Sequence, residues 1–168
     1  MPIYSRDNRK QFDPAPEGLH QAVCCDVVDL GEVETRFGRK LQVEFRWFLE
    51  CNNEKTGKPF MSVKRYTNSL NEKATLRHHL EAWRGKKFTQ NELEQFDLET
   101  CLGVNCQIQI VHNITDDGTA YANVQTIVPA PRGAIKLIVP GDYVRAKDRA
   151  ASGQPSKGSD ETPEDCPF

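Results

Sequence analysis

The chain has 168 residues, a formal net charge of −2 and a hydrophobic fraction of 38%, which is enough for one domain with a core and a polar extension. It contains no run of 18 apolar residues, and residues 1–18 contain no apolar segment of signal-peptide length. The sequence therefore predicts a cytoplasmic protein that has no membrane partner.

Charged residues are unevenly distributed along the chain. Residues 36–87 contain 13 Lys/Arg and 5 Asp/Glu, a balance of +8, whereas residues 88–129 contain 6 Asp/Glu and no Lys or Arg. Residues 152–168 contain one Lys and four carboxylates. A concentrated basic stretch favours an anionic partner, and a merely solvated face is the alternative.

The cysteines and histidines do not form a metal-binding pattern. Six cysteines occur without a C-x-x-C pair, and the four histidines do not complete a zinc motif. The sequence predicts reduced thiols, several of them buried, with no metal site and no cofactor.

Residues 1–18 are polar and carry three prolines, which predicts an irregular N-terminal arm. A valine-rich strand is predicted over 19–31, ending at Gly31. The clearest strand is 39–50, where every second residue is apolar and predicted to face the core. These core positions are Leu41, Val43, Phe45, Trp47 and Leu49. Residues 51–59 are predicted to form a turn, and 60–70 a third strand.

The period then becomes helical over 69–85, where Leu76, Leu80 and Trp83 share one face. Ser69 with Glu72 predicts a capping box, and Gly85 a C-terminal stop. A second capping box, Thr89 with Glu92, predicts a short helix within 88–103. Strands follow at 104–114 and 121–129 around an Asp-Gly turn, with a short extended piece at 134–139.

Three strands, a helical connection and two more strands is the order of the OB-fold. The prediction is a mainly β, five-stranded OB-fold barrel over 19–149 with a helix between strands three and four. A disordered linker and acidic tail are predicted over 150–168. Another small α+β sheet is the alternative.

Aromatic and basic residues share the predicted outward parity of strands two and three. A surface that binds single-stranded nucleic acid needs aromatic rings to stack on the bases and neighbouring cations to contact the phosphates. The predicted DNA-binding residues are Arg36, Arg39, Lys40, Arg46, Phe48, Phe60, Lys64, Tyr66 and Tyr121. Packing remains an alternative for two rings, with Phe48 beneath the N-terminal arm and Tyr66 beneath the helix.

No motif of an enzyme is present: the sequence lacks a phosphate-binding loop and a nucleophile elbow. Asp26, Asp29 and Glu44 are the carboxylates on which a metal-dependent nuclease would depend. Scattered carboxylates are common in strands, so a binding module is favoured over an enzyme.

The final "EDCPF", preceded by the linker "AASGQPSKGS", resembles the C-terminal tip of bacterial single-stranded DNA-binding proteins. The acidic part of the tip is matched by Asp160, Glu161, Glu164 and Asp165, and its last two residues by Pro167 and Phe168. Cys166 replaces the usual aliphatic residue, a departure expected to weaken partner docking without abolishing it.

The body is similar to phage- and prophage-encoded single-stranded DNA-binding proteins in "AVCCDVVDLGEVET", "YTNSLNEKATLR" and "LGVNCQIQIVHN". The resemblance implies a protein that coats single-stranded DNA without sequence preference during phage replication, recombination or repair in the host cytoplasm. It also implies that the tail recruits replication, recombination and repair proteins. A homo-oligomer paired through an exposed barrel edge is compatible with this. The alternative is an OB-like adaptor or phage accessory factor that engages a host protein without binding DNA.

Overall fold

A computed structural model describes residues 14–151 of the chain, and the predicted arm and acidic tail lie almost wholly outside this range. The fold is mainly β, as predicted, and its five strands form one antiparallel sheet in the order β3-β2-β1-β4-β5. The strands are β1 (Gly18–Thr35), β2 (Gly38–Asn52), β3 (Pro59–Thr67), β4 (Asn105–Ile114) and β5 (Ala120–Pro129). The helices are α1 (Thr75–Arg84), α2 (Gln90–Glu94) and α3 (Ala146–Ala151), with a 3₁₀ turn at Leu98–Cys101.

β1 and β2 form a long hairpin that closes where Thr35 pairs with Gly38. β4 pairs only with the first residues of β1, from Gly18 to Val23, so the hairpin tip extends past it. β1 contains two register shifts, one between Cys24 and Asp26 and one before Gly31. A bulge of this kind changes which side of the sheet the following residues face.

The core lies on one side of the sheet, where the predicted alternation of β2 is confirmed for Val43, Phe45, Trp47 and Leu49. Leu41 is an exception. It pairs with Glu32 in the projecting part of the hairpin, beyond the β4 ladder, and more than half of its surface is exposed.

α1 covers this core and begins six residues later than predicted. Ser69 does not cap it, because the Ser69 hydroxyl accepts a hydrogen bond from the Asn71 N–H in the turn before the helix. Ala74 is the N-cap and has no side-chain cap bond. Leu76, Leu80 and Trp83 are buried as predicted, and Gly85 ends the helix in a left-handed conformation with φ of 73°.

The second half of the chain follows the predicted order closely. The capping box of Thr89 and Glu92 is present at the start of α2, which gives way to the 3₁₀ turn. Residues 134–139 do not pair as a strand. Two side chains hold them instead: Gln21 Nε2 donates to the carbonyl of Ile135, and the Asn105 amide bonds both the N–H and the carbonyl of Leu137.

The two outer strands of the sheet approach each other beneath α1, which contacts both β3 and β5. Lys64 Nζ on β3 lies 3.4 Å from Asn123 Oδ1 on β5. Within residues 14–151, no backbone ladder joins these two strands. None of the helices in that range has the length and apolar character needed to cross a bilayer.

Candidate nucleic-acid interface

The side of the sheet opposite the core carries the residues that best fit a binding surface. Side chains directly opposite each other on paired strands share a face. Three pairs of β2 with β3 alternate with buried core positions and therefore form what we call the outer face. They are Phe48 with Met61, Arg46 with Val63, and Glu44 with Arg65.

Glu44 fixes the two arginines of the outer face. Its Oε1 accepts a hydrogen bond from Arg46 Nε at 2.7 Å, and its Oε2 accepts one from Arg65 Nε at 3.0 Å. The carboxylate is buried beneath the two guanidinium groups. Burial alone would lower the pKa of Arg46, but the pairing with Glu44 outweighs burial and raises it. One carboxylate between two guanidinium groups leaves this trio with one net positive charge.

The predicted orientation of β3 is wrong, and Tyr66 is the clearest case. Tyr66 pairs with Val43, which faces the core, so it faces the core as well. Only 4% of its surface is exposed, and its ring packs edge-on against Phe45 at 5.7 Å. Tyr66 is therefore packed beneath α1, where it contacts His79. Packing beneath the helix was the alternative to base stacking for this ring.

Lys64 and Phe60 share this inner parity and also do not lie on the outer face. Lys64 pairs with Phe45, and its ammonium group lies 5.8 Å from the centre of the Tyr66 ring. Burial lowers the pKa of Lys64. Phe60 is half-buried against the core. Lys64 belongs to the space between β3 and β5, where it contacts Asn123.

The tip of the β1–β2 hairpin is a second basic surface. Arg36, Arg39 and Lys40 are all exposed there, and Arg39 forms a loose ion pair with Glu32 at 3.8 Å. Phe37 lies among them with 81% of its surface exposed. The sequence prediction missed Phe37, although a ring inside "RFGRK" was a visible signal. Tyr121 is half-buried on β5, which β1 and β4 separate from β2 in the sheet.

Phe48 is half-buried. Most of the N-terminal arm, the cover that one alternative gave it, lies outside the described residues. The ring of Tyr143 meets Phe48 edge-on, with the ring centroids 5.4 Å apart. Tyr143 belongs to residues 140–149, to which the sequence assigned no role. This stretch crosses the sheet on the side of the outer face.

Asp26 holds that stretch in place. The carboxylate faces Arg46 across the strand pair and accepts three hydrogen bonds, from the Tyr143 hydroxyl, Arg145 Nε and the Ala146 N–H. Burial alone would raise the pKa of Asp26, but the hydrogen bonds from Ala146, Tyr143 and Arg145 outweigh it and lower the pKa.

The carboxylates of the nuclease alternative are engaged with protein donors. Asp26 and Glu44 are held as described, and Asp29 accepts a hydrogen bond from the Gly31 N–H at 2.9 Å. In the part of the chain that the structure describes, no three His, Cys, Asp or Glu residues form a group suited to a metal ion.

The cysteines within residues 14–151 are free thiols, and four of the five are buried. Burial raises the pKa of Cys101 to about 11 and that of Cys25 to about 12. These thiols are therefore protonated at neutral pH and act as small core residues.

Comparison with known proteins does not place the chain in a family. No protein-family model matches it, and no curated protein matches it. A function therefore has to be argued from the residues and the geometry above.

Proposed function

We propose that this chain is a binding module that coats single-stranded DNA without sequence preference. The observation that carries the proposal is the outer face, on which Phe48 and Met61 lie beside Arg46 and Arg65. Bases stack on rings whatever their sequence, and guanidinium groups contact the phosphates. The exposed hairpin tip, with Phe37 between basic residues, extends the same combination along a strand of nucleic acid.

We further propose that the sheet is that of an OB-fold barrel closed between β3 and β5. The contact of Lys64 with Asn123 and the position of α1 between β3 and β4 support this. In OB-folds, the face of strands two and three and the adjoining loops bind oligonucleotides. On this proposal, the outer face and the β1–β2 hairpin correspond to those positions.

The choice of DNA, and of a phage replication, recombination or repair role in a host cytoplasm, depends on the resemblance in sequence. The acidic tip, with Asp160, Glu161, Glu164, Asp165, Pro167 and Phe168, lies outside the described residues. We propose that it recruits partner proteins, with Phe168 entering an apolar pocket. A pull-down with the tail peptide should recover partners that a Phe168→Ala peptide does not. Equal recovery by both peptides would remove Phe168 from the proposal.

A protein-binding adaptor is the second candidate, and one observation favours it. Ile135 and Ile138 are 86% and 85% exposed, and both belong to the stretch that Gln21 and Asn105 hold. Exposed apolar residues of this kind are common at protein contacts. If the chain is an adaptor, a variant with both Ile135→Ser and Ile138→Ser should lose its protein partner. If the chain binds single-stranded DNA through the outer face, the same variant should retain DNA binding.

The deciding experiment compares labelled oligo-dT, oligo-U and duplex DNA at two salt concentrations by fluorescence anisotropy. We expect oligo-dT to bind far more tightly than duplex, because paired bases offer no free faces to the rings. The affinity should fall steeply with salt, because phosphate contacts release counterions. Equal affinity for duplex and single strand, or no dependence on salt, would contradict the proposal.

Two arginines of similar exposure provide a matched control. Arg46→Gln removes a cation from the outer face, whereas Arg77→Gln removes one from α1, where it pairs with Glu81. The side chains are 19% and 20% exposed. Arg46→Gln should weaken binding and reduce the salt slope by about 1. Arg77→Gln should leave both unchanged.

A further inference from the structure

Residues 140–149 lie against the outer face, and they carry a ring and three cations of their own. The cations are Arg145, Lys147 and Arg149, and the two acids are Asp142 and Asp148. The inference drawn from this stretch rests on the proposed function, since it concerns the same surface.

The attachment of this stretch is extensive. Besides its bond to Asp26, the Arg145 guanidinium donates to the carbonyl of Val27 at 3.1 Å and to Glu99 at 3.4 Å. Lys147 adds a contact to the same Glu99 carboxylate at 3.2 Å. Asp26 is 1% exposed, so releasing the stretch would leave a buried carboxylate without its partners. The stretch is therefore a fixed part of the surface.

The position of Tyr143 is set by its hydroxyl, which Asp26 accepts at 2.9 Å. Its ring stands at 89° to that of Phe48, so the two rings form a corner. The Arg149 guanidinium carbon lies 5.5 Å from the centre of the Tyr143 ring. Tyr143 remains half-buried, with part of its surface open to solvent.

We propose that Tyr143 is a base-stacking residue of the nucleic-acid interface, which residues 140–149 of the chain complete. A base that stacks on one ring of the corner meets the other ring at its edge, an arrangement that aromatic groups favour. The interface thus combines the central strands with the chain that follows β5.

The test is a pair of substitutions, measured with oligo-dT and with an abasic oligonucleotide of the same length. Tyr143→Leu keeps an apolar side chain but removes the π face, and Tyr143→Phe keeps the ring but removes the hydroxyl. We expect Tyr143→Leu to bind oligo-dT about tenfold more weakly than the wild type. On the abasic strand Tyr143→Leu and Tyr143→Phe should bind equally, because both lack the hydroxyl bond to Asp26 and this strand offers no base to a ring.

Tyr143→Phe separates base stacking by the ring from the hydroxyl bond to Asp26. We expect this variant to prefer oligo-dT over the abasic strand by the same factor as the wild type. If Tyr143→Leu weakens binding of both strands equally, the ring has only a structural role and the inference is overturned. Wild-type affinity of Tyr143→Leu for oligo-dT would also overturn it, while leaving the proposed function intact. Failure of the wild type to bind oligo-dT would overturn both.

Tyr143→Trp provides a measurement that does not depend on the leucine variant folding. Trp47 and Trp83 are buried, so the new indole is the one placed at the interface. Oligo-dT should quench its fluorescence more strongly than the abasic strand does. Equal quenching by the two strands, or none, would contradict stacking at this position.

Discussion

The hydroxyl of Tyr66 is hydrogen-bonded to Nδ1 of His79 over 2.6 Å, which joins β3 to α1. Their rings meet edge-on with centroids 5.3 Å apart. Burial lowers the pKa of His79 to about 4, and the charges of Lys64 and His78 act in the same direction. The neutral imidazole is therefore the form that packs between the helix and the sheet.

This arrangement predicts that the fold loses stability in mild acid. Since His79 titrates near 6.5 when unfolded and near 4 when folded, the unfolded chain binds more protons between these values. The stability contributed by the neutral ring is fully present above pH 6.5 and is lost as the pH falls from 6.5 towards 4. Thermal unfolding followed by circular dichroism from pH 7.5 to 4.5 measures this loss.

The neighbouring histidine on α1 supplies the control. His79→Asn keeps a hydrogen-bond acceptor but cannot titrate, so its melting temperature should vary less with pH than that of the wild type. His78 is exposed, and His78→Asn should keep the wild-type pH dependence. If both variants retain the full dependence, another group is responsible.

A second prediction concerns the buried carboxylate of the outer face. Glu44→Gln removes the charge that two guanidinium groups share, and it should lower the free energy of unfolding by about 1–3 kcal/mol. Glu32→Gln removes the exposed partner of Arg39 and should cost less than about 0.5 kcal/mol. Urea denaturation measures both. Equal costs for the two substitutions would mean that the burial of Glu44 has no energetic consequence.

A third prediction concerns the ring at the hairpin tip. Phe37→Ala should reduce the affinity for oligo-dT by about fivefold or more while leaving stability almost unchanged, because the side chain packs on little else. Ile114→Ala, at the tip of the β4–β5 hairpin, removes an apolar side chain that is 75% exposed and should not change the affinity. A similar effect of both changes on anisotropy titrations would exclude a specific contact at Phe37.

A fourth prediction concerns the acidic tail. Deleting residues 160–168 removes four carboxylates, which we expect to compete with DNA for the basic surfaces. DNA binding should therefore be unchanged or stronger after the deletion, most clearly at low salt. Anisotropy titration of the truncated and full-length chains measures the difference. Weaker binding after truncation would contradict competition by the tail.

The alternation of β2 correctly predicted four of its five core positions, because apolar residues alternate regularly there, and only Leu41 in the projecting hairpin is exposed. Alternation was not sufficient for β3, whose sequence places polar and apolar residues on both parities. Ser62 and Lys64 are polar residues on the inner side, and Met61 and Val63 are apolar residues on the outer side. The register with β2 decides the orientation, and no local pattern encodes that register.

Contacts between distant parts of the chain were equally invisible in the sequence. Asp26 and Tyr143 are 117 positions apart, and nothing near either residue predicts the other. Ser69 with Glu72 had the spacing of a capping box, but the same residue types also stabilise turns, and here the serine does so. Thr89 with Glu92 had the same spacing and did form the box.

The three hydrogen bonds that Asp26 accepts also have a mechanical consequence for the chain that continues past Ala151. β1 is an interior strand of the sheet, paired with β2 on one side and β4 on the other. We expect a pull on the chain beyond α3 to load the contact of Lys147 with Glu99 and then the three hydrogen bonds at Asp26, before it reaches the edge strand β5. Tension on this end of the chain should therefore be borne by an interior strand, which is paired on both sides, and not by the edge of the sheet.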